Sequence, residues 1–102
     1  MTDKIWLSSP HMGGNEMKYV QQAYDSNWVA PLGPNVTGFE TALEKYICND
    51  MKVACLSSGT SAIHLALILA GVKKDDEVLC QSFTFSASAN PITYQGAKPI
   101  FI

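Results

Sequence analysis

The chain has 102 residues, of which 47% are hydrophobic, and this length and composition suit one small globular domain. Its net charge is −2, with seven scattered lysines and no arginine, which argues against a nucleic-acid partner. No apolar run reaches the ~18 residues that a membrane span needs, and no basic region followed by an apolar run opens the chain. We therefore expect a cytoplasmic protein with no membrane partner.

The N-terminal half is predicted to form two helices. Residues 1–15 contain one proline and two glycines and show no periodicity, so we expect an extended segment. Apolar residues at helical spacing predict an amphipathic helix over residues 16–26. A second helix is expected to begin near Asn35 or Thr37, because residues 37–40 match a capping box. The loop between the two helices contains apolar side chains that a plain solvent loop would not need.

The C-terminal half alternates between strand and helix patterns. Residues 52–56 form a short continuous apolar run, typical of a strand covered on both faces. The helix that follows, over about 60–70, is expected to stop at a glycine. Further elements are predicted in chain order: a strand at 77–80, a helix at 86–94 containing Pro91, and a strand at 98–102.

This order predicts an α/β fold with parallel strands, two crossover helices and helices on both faces of the sheet. The last strand would lack a neighbour at its edge, so we expect the sequence to be part of a longer protein. The three cysteines are too far apart for metal-ligand pairs, so no metal site is predicted and buried reduced thiols are expected. They are Cys48, Cys55 and Cys80.

Small hydroxyl residues and a glycine precede the predicted third helix, in the sequence SSGTSA at residues 57–62. The amide groups of Gly59, Thr60 and Ser61 could hold an anion, and a phosphate is the first candidate, because a helix N-terminus carries unpaired N–H groups and a positive dipole end. From the residues alone, simple capping by Ser58 or Thr60 is an equal alternative.

Two aromatic residues, Phe83 and Phe85, follow the strand at 77–80, where ligands bind in parallel sheets. Either ring could lie over a flat ligand, but their spacing alone favours a place in the core for both. The two histidines, His11 and His64, are expected to pack rather than to act in catalysis.

These segments together resemble the N-terminal part of the DegT/DnrJ/EryC1/StrS family of sugar-nucleotide aminotransferases. The resemblance rests on LSSPHMGGNE at residues 7–16, NWVAPLG at 27–33, SGTSAIHLAL at 58–67, AGVKKDD at 70–76 and SFTF at 82–85. Within the family, PHMGGNE and APLG are most similar to transaminases that make UDP-linked 4-amino-4,6-dideoxy-N-acetyl-glucosamine. The resemblance implies the type I aminotransferase fold of pyridoxal 5′-phosphate (PLP) enzymes, with residues 1–102 as the N-terminal segment of the large PLP-binding domain.

The resemblance also implies the roles of individual residues. Gly59, Thr60 and Ser61 match the residues that hold the cofactor phosphate, and Phe85 matches the aromatic residue that stacks on the pyridine ring, leaving Phe83 to the core. Residues expected to contact the sugar nucleotide are Asn27, Trp28, Val29, Ala30 and Ser58. For Trp28 and Val29, a structural anchor remains the alternative.

By the same resemblance, the reaction moves an amino group from glutamate to the C4 keto carbon of a nucleotide-linked 4-keto-6-deoxy sugar of the UDP-N-acetyl type, for glycan biosynthesis. A homodimer is expected. None of the seven lysines matches the family's Schiff-base lysine, so no catalytic residue is predicted and the 102 residues are expected to be an inactive fragment. The alternatives are a phosphate-binding α/β module without catalysis and a structural or regulatory remnant.

Overall fold

A computed structural model describes residues 4–6, 8–48 and 50–102. The chain divides into two compact units between Val53 and Ala54, here called the N-terminal and C-terminal units. None of the helices in the described ranges is long and apolar enough to cross a membrane.

The first helix, α1, spans Glu16–Asp25 and confirms the predicted amphipathic helix to within one residue. The chain leaves α1 through Asn27, which adopts the left-handed conformation with φ 58°. The Asn27 amide donates to the Tyr24 carbonyl at 3.0 Å, and the Trp28 amide donates to the Ala23 carbonyl at 2.8 Å. This pair of bonds is a Schellman motif, in which a left-handed residue closes the helix and satisfies its last carbonyls.

The start of α1 is organised by the Glu16 carboxylate. It accepts hydrogen bonds from the amides of Gly13 and Gly14, the second at 2.8 Å. Hydrogen bonds to the charged form favour ionisation, so the Glu16 and neighbouring backbone amides lower the pKa of this carboxyl group from its ordinary 4.5.

The second helix, α2, spans Pro34–Ile47 and begins one residue before Asn35, the earlier of the two predicted starts. Pro34 occupies the first turn, where its missing N–H is no loss. The Thr37 amide donates to the Gly33 carbonyl at 3.0 Å, so Thr37 lies inside the helix. The predicted capping box at residues 37–40 is therefore wrong.

Glu44, in the last turn of α2, binds the segment that follows the helix. Its carboxylate accepts from the Val53 amide at 3.1 Å and forms an ion pair with Lys52 at 3.7 Å. The strand predicted over residues 52–56 is not formed, because no described residue pairs with this segment in a sheet. The apolar run indicates that residues 52–56 would be buried if they formed a strand. A strand also needs a neighbouring strand that pairs with its backbone N–H and C=O groups.

The third helix, α3, spans Gly59–Leu69 and confirms the predicted helix. The chain leaves it through Gly71, whose φ is 80°. The Gly71 amide donates to Ile68 and the Val72 amide donates to Leu67, each at 3.0 Å, in a second Schellman motif.

The remaining elements are β1 at Glu77–Cys80, α4 at Ser86–Tyr94 and β2 at Lys98–Phe101. They confirm the predicted strand, helix and strand. The two strands are parallel, with Leu79 opposite Ile100, so α4 is a crossover helix. Because residues 52–56 stay outside the sheet, the described chain contains one crossover, not the two predicted.

The core of the C-terminal unit lies between this small sheet and the helices. Its buried members are Cys80, Pro91, Ile92 and Ala97. Leu67 of α3, along with Val72, Val78 and Ala89, packs against them. Alternation along β1 turns Cys80 toward α4 and leaves Leu79, on the other face, 71% exposed. Within the described residues, helices on both faces are therefore not found, and that prediction is corrected.

The cysteines and histidines were predicted to be buried or packed, and the structure confirms this for one residue of each type. Cys80 is buried, whereas Cys48 and Cys55 are exposed. His64 packs as predicted, with its ring 5.5 Å from the Tyr94 ring in an edge-on arrangement. His11 does not pack, because its side chain is exposed.

Candidate functional site: the start of α3 and the loop after β1

The N-terminus of α3 is organised by Ser58. Ser58 has extended backbone and caps the helix, since its Oγ accepts from the Ser61 amide at 3.2 Å. The hydroxyl groups of Ser58 and Ser61 are also 3.0 Å apart. Ser58 therefore acts as the cap that the sequence allowed, and it engages both the amide and the hydroxyl of Ser61.

Two amides at the same helix end remain open. Those of Gly59 and Thr60 have no hydrogen-bond partner among residues 4–6, 8–48 and 50–102. They lie at the positive end of the helix dipole, in the position from which helices bind anions. Capping by Ser58 and binding of an anion by Gly59 and Thr60 are thus compatible, because they use different N–H groups.

Gly59 is not required by the fold of the described chain. Its backbone is helical, and a Cβ atom added there would meet nothing within 4 Å. Alanine would fit this position in the conformation seen. If glycine is needed at this point, the reason is the close approach of a ligand to the backbone.

The loop after β1 presents two exposed rings. Phe83 is 100% exposed and Phe85 is 86% exposed. The prediction that Phe83 belongs to the core is therefore wrong, because the loop continues past the end of β1 and beyond the reach of the core. Phe85 has extended backbone, with φ −65° and ψ 144°, and it occupies the cap position of α4.

A shallow groove connects α3 with this loop. Ile63 of α3, one turn beyond Gly59, lines it together with Gln81, Thr84 and Ser88. The Thr84 and Ser88 hydroxyl groups are 2.8 Å apart. Ile63 of α3 and Thr84 of the loop at 82–85 therefore line the same groove. Ser88 is not among the residues predicted from sequence, and no local signal identifies it, because Thr84 lies outside α4.

The other predicted site residues lie in the N-terminal unit. Asn27 is explained locally by its left-handed conformation at the end of α1. The Trp28 ring lies so close to Gly33 that a Cβ atom there would be 2.7 Å from it. Trp28 is nevertheless 49% exposed and Val29 is 61% exposed, and Ala30 is exposed as well. Trp28 is thus partly a structural anchor and partly an accessible surface.

The observed arrangement is a parallel βαβ crossover preceded by a helix with an open N-terminus, and it has the α/β architecture of the aminotransferase fold expected from the sequence. The profile of the DegT/DnrJ/EryC1/StrS aminotransferase family matches residues 10–102. The chain belongs to this family.

Individual relatives are consistent with that membership. The chain is 54% identical over 102 residues to a putative pyridoxal phosphate-dependent aminotransferase, EpsN, of Bacillus subtilis, and covers 26% of that protein. It is 38% identical over 99 residues to the GDP-perosamine synthase of Caulobacter vibrioides. That match covers 97% of this chain and 26% of the synthase.

Among solved structures, the chain matches a putative sugar aminotransferase, Spr1654, of Streptococcus pneumoniae, in its PMP and PLP forms. The TM-score is 0.83 at 33% sequence identity, over 96% of this chain and 24% of the solved one. The chain thus spans about a quarter of the length of the proteins it matches.

Proposed function

We propose that this chain is the N-terminal segment of the large PLP-binding domain of a sugar-nucleotide aminotransferase, and that it holds the cofactor's phosphate and one face of its ring. The open amides of Gly59 and Thr60 at the start of α3 are the observation that carries the proposal. Membership in an aminotransferase family and likeness to a solved relative in PLP and PMP forms support it.

The residues at the start of α3 fit a phosphate group. Two N–H groups at a positive helix end suit its charge, and the missing side chain at Gly59 leaves the backbone accessible. In the proposal Ser61 also binds the phosphate through its amide and hydroxyl groups. Both groups now contact Ser58 Oγ, and a phosphate oxygen would take the place of that atom.

The exposed ring of Phe85 fits the flat pyridine ring. Aromatic rings attract one another when offset and stacked, and the ring is 86% exposed, so one face is accessible without rearrangement of the core. When bound, the cofactor would supply an electron sink for the carbanion that forms during amino transfer. The chain's own contribution is to bind and orient.

The proposed acceptor is the C4 keto carbon of a UDP-linked N-acetyl 4-keto-6-deoxy sugar, and the proposed amino donor is glutamate. Asn27, Trp28, Val29 and Ala30, with Ser58, would contact the sugar nucleotide. The accessible surfaces of Trp28 and Val29 support this part. A GDP-linked sugar is the competing acceptor, since one relative is a GDP-perosamine synthase. Action as a cytoplasmic homodimer belongs to the same proposal.

The test measures binding of pyridoxamine 5′-phosphate (PMP) to the 102-residue chain. PMP is chosen because it has no aldehyde to react with the seven lysines. We expect PMP to bind at least about 10-fold more tightly than pyridoxamine, a difference of about 1.4 kcal/mol, because only PMP has the phosphate. Equal binding of the two compounds would refute the proposal.

A pair of glycine variants tests the phosphate-binding turn. Gly59→Ala should weaken PMP binding about 10-fold, or about 1.4 kcal/mol, without lowering stability, because its methyl group has room in the free protein but lies where a phosphate would approach. Gly38→Ala is the matched control, since a Cβ atom there also meets nothing within 4 Å. Unchanged PMP affinity in Gly59→Ala would count against the turn.

The alternative, a phosphate-binding module without catalysis, predicts a different ligand preference. Such a module would bind glycerol phosphate as tightly as PMP, because it would not use the ring. Phe85→Ala would then have no effect on PMP binding. The aminotransferase proposal expects a loss of about 10-fold in Phe85→Ala, or about 1.4 kcal/mol, and none in the control Phe83→Ala, whose ring is also exposed.

A further inference from the structure

Two hydroxyl groups bridge the turn that contains Phe85. Thr84 Oγ1 and Ser88 Oγ lie 2.8 Å apart, at residues before and after the start of α4. The Ser88 amide donates to the Phe85 carbonyl at 2.9 Å. The Phe85 backbone is therefore enclosed by one hydrogen bond between side chains and one between backbone groups.

This bridge is not an ordinary helix cap, because it joins two side chains and pairs no backbone N–H group. The cap residue of a helix usually accepts a hydrogen bond through a side-chain oxygen, which phenylalanine does not have. The structure accordingly shows no side-chain cap bond from Phe85. The residue before the cap, Thr84, instead reaches the third residue of the helix, Ser88.

The orientation of the Phe85 ring depends on this backbone. A buried ring is oriented by the side chains packed around it, but Phe85 is 86% exposed and receives little such support. What the extended conformation at Phe85 and the turn that follows fix is the direction of its Cα–Cβ bond, from which the ring projects. A ring that is held in place before the ligand arrives binds more tightly than a mobile one.

We propose that Thr84 is a positioning residue that, through Ser88, holds the Phe85 backbone in the conformation from which the ring stacks on an aromatic ligand. This inference rests on the proposed function, because it takes Phe85 to be the stacking residue. The step is purely conformational, so Thr84 itself need not touch the ligand.

The experiment compares variants of the 102-residue chain by titration with PMP and with inorganic phosphate. Thr84→Val keeps the branched shape and loses the hydroxyl group, and it should raise the Kd for PMP about 3- to 10-fold. The affinity for inorganic phosphate should not change, since phosphate does not use the ring. Thr84→Ser keeps a hydroxyl group and should bind PMP as the unmodified chain does.

The control for a general weakening of α4 is Thr93→Val. The Thr93 hydroxyl donates to the Asn90 carbonyl at 2.7 Å, so this variant also removes one hydroxyl bond from α4, at its other end. It should leave the PMP affinity unchanged. Stacking itself is followed by the upfield shift of the PMP ring proton in NMR spectra, which should shrink in Thr84→Val and not in Thr93→Val.

The outcomes separate this inference from the proposed function. If PMP binds no more tightly than phosphate and Phe85→Ala has no effect, the proposed function has failed. If Phe85→Ala weakens PMP binding but Thr84→Val alters neither the affinity nor the proton shift, only the positioning role is refuted. Combined with Phe85→Ala, Thr84→Val should have no further effect, and an additional loss would show that Thr84 acts by another route.

Discussion

Replacing Gly33 by alanine should destabilise the N-terminal unit, for two reasons that the structure supplies. Gly33 has φ 128° and ψ −176° at the start of α2, a conformation in which residues other than glycine are strained. Its added Cβ atom would also lie 2.7 Å from Cε3 and 3.1 Å from Cδ2 of Trp28. The backbone strain alone costs about 1–3 kcal/mol, and displacement of the indole would add to it.

The assay is denaturant unfolding followed by tryptophan fluorescence in a Trp6→Phe background, where Trp28 is the remaining indole. Gly33→Ala should lower the free energy of unfolding by at least ~1 kcal/mol and alter the native Trp28 emission. Gly38→Ala, inside α2 with open space around its Cβ atom, should instead raise the free energy by about 0.5–1 kcal/mol. Equal stabilities for the two variants, with unchanged emission, would refute this account of Gly33.

Two further predictions concern the starts of α1 and α3. The pKa of Glu16 is lowered in the folded chain, so its contribution to stability is present above the ordinary pKa of 4.5 and is lost as the pH falls through the folded value. The amide shifts of Gly13 and Gly14 in an acid NMR titration should show a midpoint below 4.5, and a midpoint at or above 4.5 would contradict the hydrogen bonds to Glu16. Ser58→Ala should cost about 1 kcal/mol in thermal unfolding and Ser58→Gly only a few tenths, whereas equal losses would show that the cap is not the cause.

Local signals in the sequence predicted most of the secondary structure. The bounds of α3 and α4 were expected to within a residue, because each is set by neighbouring residues: Ser58 and Gly71 around α3, and the loop before Ser86 for α4. These patterns depend on hydrogen bonds within a few residues, so the sequence carries them directly. The start of α2 lies one residue before Asn35, the earlier expected position, whereas the capping box at residues 37–40 was wrong because Pro34 already occupies the first turn.

Features that depend on distant residues were predicted less well. The apolar run at 52–56 has the composition of a buried strand, but pairing depends on a neighbour that composition does not identify. The same holds for Phe83, whose spacing from Phe85 suggested the core although it lies in a loop beyond the strand end, 100% exposed. Within the candidate site, the residues at the start of α3 could be found from sequence, while the bridge between Thr84 and Ser88 required coordinates.

Two glycines that look alike in the sequence have different physical reasons to be glycine. Gly33 precedes a helix with a positive φ and a tryptophan ring against it, so the fold itself excludes a side chain there. Gly59 also begins a helix, yet its φ is ordinary and the space around it is open. The fold does not require glycine at residue 59, and the two open amides beside it are groups that an anion would need. Gly59→Ala should leave the free energy of unfolding intact and weaken PMP binding, whereas Gly33→Ala should lower the free energy of unfolding and leave PMP binding intact. That pair of results would separate a requirement of the fold from a requirement of the ligand.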